Sequence, residues 1–187
     1  MNTDYIYKYV DRHISDKRRL HTKGVADEAV KLADIYGEDV LKARVAALFH
    51  DIYKGKRVST LNKLVKSFGL DDKYLDNPNL AHGKLASLVM RTDCGVDDED
   101  ILNAVSYHTT GRAGMSMLEK IIFIADVVEP SRDYPGVEDL RNLAAKNIDK
   151  ACLVALKNEI KLLRDKKIEP DADTLAAECD LERRLRN

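Results

Sequence analysis

Hydrophobic residues recur at steps of three and four along nearly the whole chain, which is the spacing of one face of an α-helix. In the first third of the chain this pattern predicts helices over residues 4–14, 16–36 and 40–54. Gly37 is expected to terminate the second helix, and Asp39 is expected to cap the third. His50 and Asp51 stand near the end of that third helix, and adjacent helical residues can reach one ion most readily where a helix ends.

The same periodicity continues through the rest of the chain. It predicts helices over residues 59–68, 78–90, 98–108, 116–128, 137–166 and 171–185. Ser59 is expected to cap the first of these, Pro78 to begin the second, and Pro130 to follow the end of the helix over 116–128. Residues 137–166 are read as one long amphipathic helix on the outer wall. Because no strand-type alternation is present, we predict an all-α bundle in a single domain over 1–187, with a core of about 15–165 and a peripheral helix over about 170–186.

Composition narrows the class of protein. The 187 residues include 44% hydrophobic residues, and 31 Lys and Arg against 32 Asp and Glu give a net charge of −1. This balance gives no reason to expect nucleic-acid or membrane affinity. No signal core or 18-residue apolar stretch is present, and Cys94, Cys152 and Cys179 are far apart without a C-x-x-C spacing. We therefore expect a cytoplasmic protein whose three cysteines are reduced thiols.

Four of the five histidines and two aspartates form a candidate metal site. They are His21, His50, Asp51, His82, His108 and Asp126. Each lies in or beside a predicted helix, so a bundle can direct all six inward. Imidazole and carboxylate ligands suit iron, manganese, magnesium or zinc, whereas the cysteines lack the spacing of a structural zinc site.

A lone buried histidine is more often a hydrogen-bonded core residue than a metal ligand. Burying an unpaired carboxylate such as Asp126, however, carries a large free-energy cost that a metal ion removes. We therefore predict one ion held by His21, His50, Asp51 and Asp126, and a second ion held by His82 and His108, with Asp51 as the bridge. Two ions roughly 3.5–4 Å apart can clamp a phosphoryl group between them. This geometry indicates a phosphohydrolase.

Basic and hydroxyl residues lie close to these ligands in the sequence. Lys54 follows Asp51 by three residues, and the positions after His108 and Asp126 lead to the further candidates Thr109, Gly111, Arg112 and Arg132. The cations and hydroxyls among them can hold phosphate oxygens. Alternatively, Lys54, Lys56, Arg57 and Arg112 form a solvated face. Gly83 and Gly111 either admit a ligand close to the backbone or relieve crowding between helices.

Three segments carry a resemblance to a known family. The strings LFHDIYKG, AHGKLAS and YHTTGRAGMSMLEKIIFIADVVEPSRDYPGVEDLR resemble the YqeK family of HD-domain hydrolases over about residues 15–165. That resemblance implies an HD-domain helical bundle that cleaves diadenosine tetraphosphate symmetrically into two ADP. It places His21, His50, Asp51 and Asp126 around one iron, with His82 and His108 completing a second metal position. It also implies that Lys54 and Arg132 meet the polyphosphate and that Thr109 and Gly111 border it.

The leading hypothesis is therefore a hydrolase with two divalent or mixed-valence metal ions, iron first and manganese second. His50, Asp51 and Lys54 are its expected catalytic residues, and a metal-activated water attacks a dinucleoside polyphosphate. Rival hypotheses are a nucleotide phosphatase or cyclic-nucleotide phosphodiesterase on the same scaffold, oxidation at a di-iron centre, and a non-catalytic nucleotide-binding or assembly module. The expected partner is a nucleotide substrate, with neither nucleic acid nor membrane, and a homodimer is one option for assembly.

Overall fold

The computed structural model describes residues 3–186, apart from the side chain of Lys17. Within that range it contains ten α-helices, one short 3-10 turn and no strand, which confirms the all-α prediction. The helices are α1 (Thr3–His13), α2 (Asp16–Tyr36), α3 (Val40–Phe49), α4 (Val58–Ser67), α5 (Pro78–Cys94), α6 (Glu99–Tyr107), α7 (Met117–Val128), α8 (Val137–Lys146), α9 (Ile148–Asp165) and α10 (Ala172–Arg186). The 3-10 turn covers Asp72–Tyr74. Met1, Asn2 and Asn187, which the single-domain prediction includes, lie outside the described residues.

The two ends around α2 and α3 follow the predicted signals. Gly37 adopts the left-handed conformation at the end of α2, with φ 68°, and the Asp39 side chain accepts hydrogen bonds from the first backbone N–H groups of α3. The third helix is shorter than predicted, however, because it ends at Phe49 and residues 51–55 form turns. His50 and Asp51 therefore stand at the end of α3, where the backbone leaves the helical path.

Two other boundaries differ from the prediction. The residue before α4 is Arg57, so Ser59 lies within the helix and does not cap it. The helix that begins at Pro78 continues past Met90 to Cys94, since the chain does not reach a terminating glycine until Gly95. Asn77 caps that helix by accepting a hydrogen bond from the backbone of Leu80.

The predicted long helix over 137–166 is wrong in one respect, because it is two helices. Asn147 separates α8 from α9 with φ −156° and ψ 95°, and its side chain caps α9 by accepting a hydrogen bond from the backbone N–H of Lys150. Asparagine bonds locally to the backbone and so competes with helix continuation. Apolar periodicity alone does not reveal such a break.

Helix α7 occupies the centre of the bundle. Its Ile121, Ile122 and Ile124 side chains are fully buried, and the helix packs against α2, α3, α6, α8 and α9. The last helix, α10, turns back along α9 and adds Ala177 and Leu181 to the same core. No helix within residues 3–186 combines the length and the apolar character needed to cross a membrane. The central position of α7 lets ligands from several surrounding helices meet at one place.

Candidate metal centre

Five helices deliver the six candidate ligands to one buried position. His21 comes from α2, His50 and Asp51 from the end of α3, His82 from α5, His108 from the end of α6 and Asp126 from α7. The His50 and Asp51 side chains are 0% and 4% exposed, and His82 and His108 are also buried. The structure therefore places all six residues of the sequence prediction together.

The carboxylate of Asp51 lies between two pairs of imidazoles. Its Oδ2 atom is 3.5 Å from His21 Nε2 and 3.6 Å from His50 Nε2. Its Oδ1 atom is 3.2 Å from His82 Nε2 and 3.7 Å from His108 Nε2. Each oxygen thus faces a different pair of imidazole nitrogens, an arrangement that would suit a carboxylate between two ions.

Two sets of ligand atoms are compact enough for a single ion each. Atoms of His21, His50 and Asp126 lie within 4.8 Å of one another, and so do atoms of His50, Asp51 and His108. His50 belongs to both sets. His82 adjoins the second set, since its Nε2 atom is 3.0 Å from His108 Nε2.

Each candidate histidine ligand is oriented by a hydrogen bond from its other ring nitrogen. The Nδ1–H groups of His82 and His108 donate to the backbone oxygens of Pro78 and Val105, at 3.1 Å and 2.8 Å, and His50 donates to Ala47 in the same way. Because each proton is then on Nδ1, the Nε2 atoms present lone pairs to the centre.

The described protein groups do not satisfy all four of these Nε2 atoms. The buried Nε2 atoms of His21 and His50 make no hydrogen bond within residues 3–186. The Nε2 atoms of His82 and His108 face each other at 3.0 Å, although each ring already donates through Nδ1. Buried unsatisfied nitrogens are costly, and facing lone pairs repel. A cation removes both problems, so the donor set fits metal ions.

The electrostatics favour the ligand forms of these groups. Burial lowers the pKa of His50 below its usual value and that of His82 to about 4, which keeps both rings neutral. Burial alone would raise the pKa of Asp51 and Asp126, but the surrounding histidines lower both below the usual range. Burial likewise acts to lower the pKa of His21, yet the neighbouring carboxylates raise it to about 9. Without a metal ion, a proton on His21 partly balances the carboxylates.

Sequence reasoning missed the carboxylate that holds His21. Glu129, at the end of α7, is 1% exposed and accepts a hydrogen bond from His21 Nδ1 at 3.1 Å. It also accepts from the backbone N–H of Ser131 at 2.7 Å. Burial would raise the pKa of Glu129, but the Ser131 and His21 hydrogen bonds lower it below its usual value. The signal was present, because Glu129 follows Asp126 by three residues and so shares its side of the helix.

Two glycines allow these side chains to approach the helices closely. A Cβ atom at Gly24 would lie 2.5 Å from Glu129 Oε2, so the glycine leaves room for the carboxylate in its present position beside α2. A Cβ atom at Gly83 would lie 3.0 Å from the His108 ring. Gly83 therefore relieves crowding between α5 and His108, which is one of the two roles expected from the sequence.

Three cations surround the two carboxylates. Arg18 Nη1 donates to Asp51 Oδ2 at 2.6 Å, and Arg132 Nη2 donates to Asp126 Oδ1 at 2.7 Å. Burial lowers the pKa of Lys54, although Asp51 and Asp126 act in the opposite direction. Lys54 and Arg132 were sequence candidates for phosphate contact. Arg18 was missed, although it precedes His21 by three residues and so lies on the same side of α2.

The remaining sequence candidates for substrate contact have different surroundings. Thr109 Oγ1 lies 3.1 Å from His108 Nε2, at the edge of the metal centre. Gly111 is in the left-handed conformation, and a Cβ atom there would lie 3.2 Å from the Cβ atom of Ala177 on α10. Arg112 donates two hydrogen bonds to Glu119, at 2.6 Å and 2.8 Å. Thr109 therefore borders the centre, while Gly111 and Arg112 are engaged in contacts between structural elements.

Comparisons with known proteins agree with this geometry. The HD domain family model matches residues 18–131. A Bacillus subtilis protein named "Bis(5′-nucleosyl)-tetraphosphatase, symmetrical" is 37% identical over 167 residues, which cover 89% of this chain and 90% of that protein. A Halalkalibacterium halodurans protein of the same name is 38% identical over 177 residues, with coverage of 94% and 95%. A crystal structure from Clostridium acetobutylicum, described as a predicted HD superfamily hydrolase involved in NAD metabolism, aligns with a TM-score of 0.91 at 40% identity over 98% of both chains.

The contact between Glu129 and His21 generates a prediction about metal affinity. Glu129→Gln removes the negative charge behind His21 while keeping the shape of the side chain, so we expect metal affinity to fall about tenfold to hundredfold. Gly24→Ala should act in the same direction, because its Cβ atom displaces the carboxylate. Titration against a competing chelator measures the effect. Glu138→Gln, which changes an exposed carboxylate on α8, is the control. Unchanged metal affinity in Glu129→Gln contradicts the role assigned to this residue.

Proposed function

This chain belongs to the HD domain family and to its symmetrical bis(5′-nucleosyl)-tetraphosphatases, and on that premise we propose how it acts. It is a metal-dependent hydrolase that cleaves diadenosine tetraphosphate with water into two ADP. The observation that supports this function most strongly is the position of Asp51, whose two oxygens face separate pairs of imidazoles in a chain closely similar to enzymes of that name.

The six clustered residues are the ligands that we assign to two metal ions. They are His21, His50, Asp51, His82, His108 and Asp126. We assign iron first and manganese second, because a mixed set of imidazoles and carboxylates suits both metals. When bound, two such ions supply Lewis-acid polarisation of phosphoryl oxygens and activation of water near neutral pH.

The protein's own cations bind and orient the polyphosphate. Lys54 is partly buried beside Asp51 and Asp126, and its lowered pKa reflects a desolvated ammonium group that gains from an anionic ligand. Arg18 and Arg132 hold the Asp51 and Asp126 carboxylates, yet their side chains are 30% and 39% exposed. Each guanidinium carries several N–H groups, so it can hold a carboxylate on one edge and a phosphate on another.

Neighbouring residues complete the proposed substrate site. Thr109 brings a hydroxyl to the edge of the centre and can donate to a phosphate oxygen. Gly111 supports this segment by allowing α10 to pack against it. Arg112 reaches the substrate only if its two hydrogen bonds to Glu119 are released. We therefore rank Lys54, Arg132 and Thr109 above Gly111 and Arg112 as substrate contacts.

We propose the cytoplasm as the place of action. Cys94, Cys152 and Cys179 are free in the structure, as is usual for proteins in a reducing compartment. A homodimer, which the sequence left as an option, stays a prediction.

The products of the reaction test the proposed function. Metal-loaded protein incubated with diadenosine tetraphosphate should yield two ADP for each substrate molecule, resolved by chromatography. In ¹⁸O-labelled water, one of those two ADP molecules should carry the label on its β-phosphate, because water attacks an inner phosphorus. Formation of AMP and ATP, or absence of turnover, contradicts the proposal.

The bridging role of Asp51 generates a prediction about metal content. Asp51→Ala should abolish activity and lower the metal content at both positions, because both of its oxygens face ligand pairs. His108→Ala should keep roughly one ion per chain and lose most turnover, because His21, His50, Asp51 and Asp126 still hold the other ion. Elemental analysis and rate measurement on the same samples check both variants.

His13→Ala is the matched control for these substitutions. His13 is the one histidine outside the centre, and its ring stacks on Tyr9 at 4.1 Å between centroids. This variant should keep the metal content and the rate of the unchanged protein. Normal turnover in His108→Ala, or full metal content in Asp51→Ala, overturns the ligand assignment.

A further inference from the structure

A cavity of about 540 Å³ adjoins the metal centre. Its walls come from the start of α5, the segment after α6, the end of α9 and the connection from α9 to α10. Lys54 and Thr109 line this cavity, and Thr109 Oγ1 is also 3.1 Å from His108 Nε2. The cavity therefore lies next to the proposed metal centre.

The lining of the cavity combines polar residues beside the metal centre with an apolar surface. Lys54 and Thr109 provide a cation and a hydroxyl beside the centre, whereas Leu80, Leu163 and Ile168 provide apolar surface. The carboxylates of Glu159 and Glu169 also line it. Carboxylates repel polyphosphate, but they accept hydrogen bonds from ribose hydroxyls and base amino groups. A nucleoside suits this combination of apolar contacts and acceptors.

We propose that this cavity binds the nucleoside of one half of the substrate, with the phosphates of that half directed toward Lys54 and Thr109. This inference rests on the proposed function. Binding sites of roughly 300–1,000 Å³ are typical for small ligands, so the cavity has room for a nucleoside. The second half lies on the side of the centre where Arg18 and Arg132 are partly exposed. The two halves of a symmetrical substrate thus meet different surroundings.

The wall formed by the end of α9 is held in place without a ligand. Lys167 adopts a left-handed conformation with φ 58°, and the backbone N–H of Ile168 donates to the oxygen of Leu163 at 2.9 Å. This pattern is a Schellman turn, which brings the residue after the turn back against the last turn of the helix. Leu163 and Ile168 are therefore positioned together before a nucleoside enters.

A salt bridge fixes the opposite part of the same wall. Lys73, in the 3-10 turn, lies 3.0 Å from Asp171 Oδ2, while Asp171 Oδ1 accepts a hydrogen bond from the backbone N–H of Asp173 at 2.9 Å. Asp171 thereby caps α10 and ties the connection between α9 and α10 to the segment before α5. Because this wall is already ordered, less conformational entropy of the protein is lost when a ligand binds.

The test compares two adjacent leucines on α9. Leu163→Gln places a neutral polar group in the apolar wall, so we expect the dissociation constant for ADP to rise at least about tenfold. Leu162→Gln makes the same change at a 47% exposed position that does not line the cavity, and it should bind ADP like the unchanged protein. Calorimetric titration of the metal-loaded proteins measures the affinities.

Two further measurements separate loss of nucleoside binding from general damage. Leu163→Gln should keep the metal content and the pyrophosphate affinity of the unchanged protein, because pyrophosphate has no nucleoside. A second variant, Ala172→Leu, adds volume at an exposed lining position where folding tolerates the change, and it should also weaken ADP binding selectively.

The inference is overturned if both cavity variants bind ADP as tightly as the unchanged protein, or if pyrophosphate affinity falls together with ADP affinity. ADP binding requires no turnover, so the test is independent of the reaction itself. If the cavity variants selectively lose ADP binding while diadenosine tetraphosphate is not cleaved, the proposed function fails and the nucleoside site stands.

Discussion

The rest of the centre depends on one constraint, which is the burial of the ionised Asp51 carboxylate among imidazoles. Burying an unpaired charge in a protein interior costs several kcal/mol, roughly, even after the surroundings relax. The histidines around Asp51 present lone pairs, because the Nδ1 atoms of His50, His82 and His108 already donate to backbone oxygens. Arg18 provides partial compensation at Asp51 Oδ2. The two metal ions that we propose would satisfy the lone pairs and the carboxylate together, and so account for the whole cluster.

The arrangement of the helices brings the Asp51 carboxylate and the imidazoles together. His50 and Asp51 follow the last residue of α3, so the carboxylate is held by a short, buried helix and still projects from its end. Gly83 lets the His108 ring lie against α5, and Gly24 leaves room for the carboxylate of Glu129 behind His21. Glycines in the bundle therefore determine how closely these side chains approach the helices. The central α7 packs against α2, α3 and α6, which also contribute candidate ligands.

Much of the fold and the clustering of the candidate ligands could be predicted from the sequence, because both follow from local patterns. Helical periodicity marked the elements, and histidine and aspartate are recognisable as ligand types wherever they occur. The residues that were not predicted contact the candidate ligands only in the folded chain. Glu129 and His21 are hydrogen-bonded although they are 108 residues apart in the sequence, and Arg18 and Asp51 are 33 residues apart. The break at Asn147 escaped for a different reason, since a local side-chain cap there outweighs an uninterrupted apolar pattern. The cavity beside the centre also depends on how α10 returns along α9, which no local pattern specifies.

The central claim is that Asp51 bridges two metal ions, and anomalous X-ray scattering from crystals of the metal-loaded protein tests it most directly. Data collected on both sides of the absorption edge of the bound metal should show two peaks roughly 3.5–4 Å apart. One peak should lie beside Asp51 Oδ2, toward His21 and His50, and the other beside Oδ1, toward His82 and His108. A single peak at full occupancy, or two peaks without contact to Asp51, would contradict the account.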